Sequence, residues 1–355
     1  MTRALHAPPH RWESATTYVK LITAALLMLL GAAAATIGLL DGRTPARPPA
    51  TRAAGRSPDT GTNLSETLAA AESQPATRAA PYPAPALAAA CEVAAERLRD
   101  RLPPDYVFIV RPPFVVAGRP VMRTGGASVS LERIVSETIV RAARAMWASY
   151  FRHRPTRPVV ALLFPDAAAY MHWAGALFGD TDLPKFGYCR RDGVLVMNIA
   201  TGTGTLIHEL THALIAPDFR GVPTWFNEGL ACLHEQCRIG DDRIIGLCNW
   251  RLPALQTAVA AGRLRPLREL VTARDFRGRL EGLNYAQARY FVQYLQHRGL
   301  LHRFYRTLRR LHAVAGRRPD EGSVDVHAIE TVCGADIDVV DASWRRWVMQ
   351  LRYGG

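Results

Sequence analysis

The sequence predicts an α+β body, with a small mixed sheet first and a mainly helical part after it. Three features carry that expectation. Strand-length apolar runs, such as PVVALLF at Pro158–Phe164, fall before about residue 200. Beyond the Gly/Thr loop TGTGT at Thr201–Thr205, apolar residues recur at helical spacing instead. Apolar residues also make up 48% of the 355-residue chain, enough for a sizeable core and too many for a chain disordered throughout.

In chain order, residues 1–20 form a polar tail that is expected to be cytoplasmic. Leu21–Leu40 then reads LITAALLMLLGAAAATIGLL, 20 residues without a charge. At 1.5 Å per residue this matches a bilayer core of roughly 30 Å. A cleaved signal peptide competes with an uncleaved signal anchor, and the long segment before the run favours the anchor. Basic residues flank both sides (Arg3, Arg11 and Lys20 before; Arg43, Arg47, Arg52 and Arg56 after), so charge alone does not orient it. Asp41–Leu87 is rich in Pro, Ala, Thr, Ser and Arg and reads as a flexible tether, because it lacks the apolar surface that would offset its ordering entropy. The folded body is expected over residues 88–355.

Within the body, Cys91–Arg101 reads as a short helix, and Val107–Val116 carries strand signals broken by Pro112-Pro113. Val129–Arg152 has an apolar stripe at helical spacing and reads as one long helix. A buried strand follows at Pro158–Phe164 and a helix at Ala167–Phe178. Phe186–Arg190 and Val194–Ile199 flank the turn Arg191-Asp192-Gly193 as a hairpin pair. Helices are expected from about Thr205 to Ala216, again after Pro223, and over most of Leu252–Gln350.

The net charge is +13, nearly all of it from arginine. No basic stripe interleaved with aromatics is present, so a nucleic-acid partner is not expected, and attraction to anionic lipid fits the charge better. The six cysteines, an even number in a chain read as exported, favour disulfides.

The chemistry concentrates in LIHELTHAL, which holds His208-Glu209-Leu210-Thr211-His212. Residues four apart share a helix face, so both imidazoles can reach one metal ion. Glu209 is placed to take a proton from a metal-bound water, whose pKa zinc lowers to roughly 7. Three residues qualify as a third ligand. Asp218 would need a glycine at the position of Ile215 to turn the chain sharply. His234 lies deep in a cysteine-rich stretch. Glu228, in TWFNEGLA, follows Pro217, Gly221 and Pro223, which supply a turn between two antiparallel helices. Two histidines and a glutamate would leave a coordination position open for water, the catalytic arrangement.

GTLIHELTHAL followed by PTWFNEGLA, with the later NYAQARYFVQYL, resembles the gluzincin metallopeptidases of the MA clan, and specifically the peptidase MA-like domains of bacteria. That resemblance implies a zincin-like fold, Zn2+ bound by His208, His212 and Glu228, Glu209 as general base, and peptide or protein substrates. It further implies a tyrosine that holds the oxyanion, for which Tyr285 resembles the family position and Tyr290 is its neighbour. Zincins also lay substrate along an edge strand, and Val194, Val196 and Asn198 are expected to form it. The His212–Glu228 interval is shorter than in aminopeptidase gluzincins and no GxMEN-type segment is present. The implied activity is therefore endopeptidase or restricted exopeptidase.

Cys232, Cys237 and Cys248 are expected either to brace the site with disulfides or, with His234, to hold a structural zinc; Cys91 and Cys333 are candidates to tie the ends of the body. The leading expectation is a single-pass membrane protein of the bacterial inner membrane, with its catalytic domain on the periplasmic or extracellular side. A catalytically inactive zincin-fold binding module is the alternative.

Overall fold

The computed structural model describes residues 82–315 and 321–354. The expected tail, membrane anchor and most of the tether lie outside the described residues. Among the described residues no helix is long and apolar enough to cross a membrane.

Helix α1 (Pro85–Arg99) opens with proline in its first turn, where a missing N–H costs nothing. It begins three residues inside the stretch read as tether. Leu87 is buried there, and the Tyr82 hydroxyl already donates to Pro155 O at 3.1 Å, so the body starts earlier than expected. Strands β1 (Val107–Arg111) and β2 (Phe114–Gly118) pair antiparallel across Pro112-Pro113. A second hairpin, β3 (Val121–Thr124) with β4 (Ala127–Ser130), takes the first residues of the expected long helix. Ser130 caps the helix that does form, its hydroxyl accepting from Arg133 N at 3.3 Å. That helix, α2, runs from Leu131–Arg133 through π-helical turns at Ile134–Val140 into Arg141–Ser149.

Strand β5 (Val159–Phe164) is followed by α3 (Ala167–Phe178), β6 (Gly187–Cys189) and β7 (Val194–Asn198). The main sheet runs β1-β2-β5-β7-β6 and is mixed: β2, β5 and β7 are parallel, and β1 and β6 run against them. The unbroken apolar run of β5 reflects cover on both faces. Val160, Leu162 and Phe164 pack with Cys91, Ala95, Tyr170 and Ala174 of α1 and α3. Val159, Ala161 and Leu163 pack toward α2 and the helical half.

The helical half holds α4 (Gly204–Asp218), α5 (Thr224–Glu235), α6 (Leu252–Ala260), α7 (Leu267–Val271), α8 (Glu281–His297), α9 (Leu301–Ala315), α10 (Glu321–Cys333) and α11 (Ile337–Gln350). One small hairpin interrupts it, β8 (Cys237–Ile239) with β9 (Ile244–Gly246). The body is thus α+β, with small sheets and a mainly helical C-terminal part, an architecture compatible with a zincin.

All six cysteines carry free thiols, which overturns the disulfide expectation. Cys91 lies in the core under α1 and α3, whereas Cys333 packs against the helical core on the other side of the sheet.

Candidate metal centre

Helix α4 carries His208, Glu209 and His212, and its flanking Leu206, Leu210 and Leu214 are fully buried. Apolar contact on this scale fixes the helix axis, so the imidazoles leave it in set directions. The chain then reverses. Pro217 falls in the last turn of α4 and Gly221 takes φ +76°, a left-handed conformation that glycine adopts without strain. α5 returns with Trp225, Phe226, Leu230 and Leu233 in the core and brings Glu228 back against α4.

The three side chains converge. His208 Nε2 lies 3.2 Å from His212 Nε2. Glu228 Oε2 lies 3.6 Å from the first and 3.5 Å from the second. His212 Nδ1 donates to Asn227 Oδ1 at 2.9 Å, which turns the Nε2 lone pair inward. Two imidazole nitrogens facing each other at this distance cannot both carry a proton, and a cation between them removes the conflict. The N, N, O donor set suits zinc. Burial opposes a proton on His208, but Cys232, Glu228 and Glu209 outweigh it and hold the ring well above its ordinary value. Burial likewise opposes charge on Glu228, yet the two histidines keep it ionised, far below the usual carboxylate range. The carboxylate thus serves as the anionic partner of both imidazoles, a place that a shared cation can also fill.

Glu209 adjoins this cluster. Burial raises its pKa, the histidines pull it down, and Glu228 pushes it up; the net shift is upward. The backbone N–H of Cys189, on β6, donates to its carboxylate. Tyr285 stands on α8, one turn before Ala288 and on the same face. There α8 lies close to α5 because position 229 is glycine: a Cβ at Gly229 would sit 3.0 Å from both Ala288 O and Val292 Cγ2. Burial and the charge of Glu228 both raise the Tyr285 hydroxyl pKa, which keeps it a proton donor. Tyr290 is fully buried and donates to Asn249 O at 3.2 Å, away from the cluster.

The other expected residues fall elsewhere. β7 lies between β5 and β6, so its backbone is paired on both sides. Val194, Val196 and Asn198 therefore do not form an edge strand, and the exposed edge beside α4 is β6. His234 is fully buried, stacks on Tyr150 and meets Thr211 Oγ1 at 3.0 Å, with its pKa lowered to about 3 by burial. Among the described residues it joins no cluster of metal-ligating side chains. Asp218 is buried away from His208 and His212, where the backbone N–H groups of Arg152 and His153, the Tyr305 hydroxyl and Arg309 all donate to it and His153 Nδ1 lies 3.1 Å from Oδ1. Burial opposes its charge, but these donors hold its pKa below the ordinary value. Asp218→Ala is expected to cost about 3–5 kcal/mol of stability, because it strands Arg309 and the Tyr305 hydroxyl. In the parent, this stability is present above the unfolded carboxylate pKa of about 3.9 and is lost as pH falls through the lower folded value. Urea unfolding of both proteins at pH 7 and pH 3 checks this: the gap should shrink at the lower pH.

Arg277, Glu235 and Arg251 stand at the site without any sequence signal, and Cys232 stands there in a role other than the expected one. Arg277, on the loop before α8, donates to Glu228 Oε1 at 2.5 Å. Behind His208, Glu235 Oε1 lies 3.6 Å from Nδ1 and Cys232 stands beside it, while Arg251 holds Glu235 at 3.0 and 3.4 Å.

A sequence model of the family described as the Peptidase MA superfamily matches residues 164–350, which include α4, α5 and α8. No curated protein matches the chain.

Proposed function

The chain belongs to the Peptidase MA superfamily and carries a metallopeptidase-like domain, and we propose that it is a zinc-dependent peptidase held at a membrane. The observation that carries the reading is the convergence of His208, His212 and Glu228 within 3.2–3.6 Å, with Glu209 beside them. In this reading those three residues hold Zn2+. Zinc, when bound, supplies Lewis acidity and brings the pKa of a coordinated water to roughly 7.

The chain's own groups do the rest. Glu209 takes the proton of the attacking water and returns it to the leaving amine. The Tyr285 hydroxyl donates to the carbonyl oxygen as charge develops there. Asn227 keeps His212 in the ligating tautomer, and Arg277 keeps Glu228 turned inward. An extended peptide is received along β6, the edge strand beside α4, by strand addition. Residues 21–40 serve as the anchor and the segment after them as the tether, placing the body on the periplasmic or extracellular side of a bacterial inner membrane, over substrates that are peptides or proteins rather than nucleic acid.

The test is metal content of the purified chain by mass spectrometry, paired with cleavage of a mixed peptide library. About one zinc per chain, with cleavage abolished by a chelator and restored by zinc, is the expected result. A metal-free chain after zinc-replete purification, or cleavage indifferent to chelation, would sink the reading.

A further inference from the structure

A cleft of about 850 Å³ opens beside the metal centre. Two residues in its wall, Asn227 and Arg277, are those that hold His212 and Glu228, so the cleft and the centre share a boundary. Its wall is basic. Arg274 and Arg277 both line it, three residues apart on the loop between α7 and α8.

That loop is pinned rather than loose. Arg265 grips Asp275 through two bonds of 3.0 and 3.2 Å. Phe276 is buried, and its carbonyl accepts from Asn284 Nδ2 at 2.8 Å. The anchors at Asp275 and Phe276 fix where Arg274 and Arg277 emerge. The acid of the wall, Asp325, is already engaged: His312 Nε2 lies 2.6 Å from Oδ1, and Trp225 Nε1 donates to Oδ2 at 2.8 Å. Arg277 contacts Glu228 through one nitrogen, and its side chain remains 63% exposed. Among the described residues Arg274 is exposed and makes no ion pair or hydrogen bond. The cleft therefore presents two guanidinium groups: Arg274 without an ion pair among the described residues, and Arg277 with donors to spare beyond the one on Glu228.

Guanidinium forks match a carboxylate in shape and charge. Resting on the peptidase reading above, we infer that Arg274 and Arg277 receive a carboxylate of the substrate, so that the enzyme acts on peptides bearing an acidic group near the scissile bond. The carboxylate is supplied by an aspartate or glutamate side chain or by the peptide's own C-terminus.

The experiment uses the full-length Glu209→Gln protein, immobilised and zinc-loaded, and a pooled decapeptide library in four forms. The forms contain Asp/Glu or Asn/Gln in their place, each with a free or an amidated C-terminus. Retained peptides are quantified by mass spectrometry at fixed salt. The carboxylate-bearing pools should be retained about tenfold or more over the neutral, amidated pool. The two contrasts, side chain and terminus, identify the source. Arg274→Gln and Arg277→Gln, both on exposed side chains, should each collapse the preference. Arg123→Gln, on the β3–β4 hairpin, should keep it, which separates the cleft from general attraction to a cationic chain. Equal retention of all four pools, or a preference that survives both cleft variants, overturns the inference. Cleavage of the same pools by the parent decides the peptidase reading separately, since hydrolysis without preference refutes only the carboxylate site.

Discussion

Replacing Glu209 by Gln is expected to slow peptide hydrolysis by about 10²–10⁴-fold while leaving zinc content at the parental level. The amide has nearly the volume and shape of the carboxylate, and it can still accept the N–H of Cys189 that positions residue 209. What it cannot do is take a proton from water. The metal should stay because His208, His212 and Glu228 are untouched, and Glu209 is not among the groups whose ligand atoms converge. Measuring kcat/KM and metal stoichiometry on one preparation separates the roles. Loss of metal together with activity would make Glu209 a ligand or a structural group. Full activity in the variant would end its role as base.

The parts of this site that were legible in the sequence are those fixed by helical periodicity. His208 and His212 are one turn apart, and the apolar residues between and around them announce a buried helix. Glu228 follows from the turn residues Pro217, Gly221 and Pro223, since two helices joined by so short a reversal must return alongside each other. Gly229 carries a further meaning that only packing reveals: the absence of its Cβ lets α8 approach and bring Tyr285 near Glu228.

Strand order was not legible in the same way. β7 looks like an edge strand when it is read only as the segment before α4. The hydrophobic pattern of β7 says that it is buried, and burial is satisfied equally well by an interior strand with β6 outside it. The cysteines misled for a related reason. Their even number says nothing about where each side chain points, and Cys232 points to His208 rather than to another thiol. Arg277 had no signal at all, because a loop arginine among several others follows no period. Its place is set by Phe276 and Asp275, whose anchoring contacts come from residues 8 to 10 positions away in sequence.

Glu228→Ala is the second large effect, with zinc affinity expected to fall by at least about a hundredfold, since even the loss of an outer partner costs 10–100-fold. Removing this carboxylate takes one of three donors from the ion and the charge that balances it. It also leaves two imidazole nitrogens 3.2 Å apart with nothing between them but each other, and it frees Arg277 to turn away. A competitive zinc titration reads the change directly, with Asn227→Ala as a graded control that should lose only the 10–100-fold of an orienting partner. The titration also distinguishes the two places where His208 could serve a metal. Its Nε2 faces His212 and Glu228, and its Nδ1 side faces Cys232 and Glu235. If zinc sits on the Nε2 side, Glu228→Ala releases it and Cys232→Ala weakens it far less. Retention in Glu228→Ala with loss in Cys232→Ala would move the ion to the other face of the ring. That outcome would remove the open, water-accepting site on which the hydrolytic reading depends. Arg251 already holds Glu235 there, and Cys232 is fully buried, so the ligands on that face are engaged within the fold.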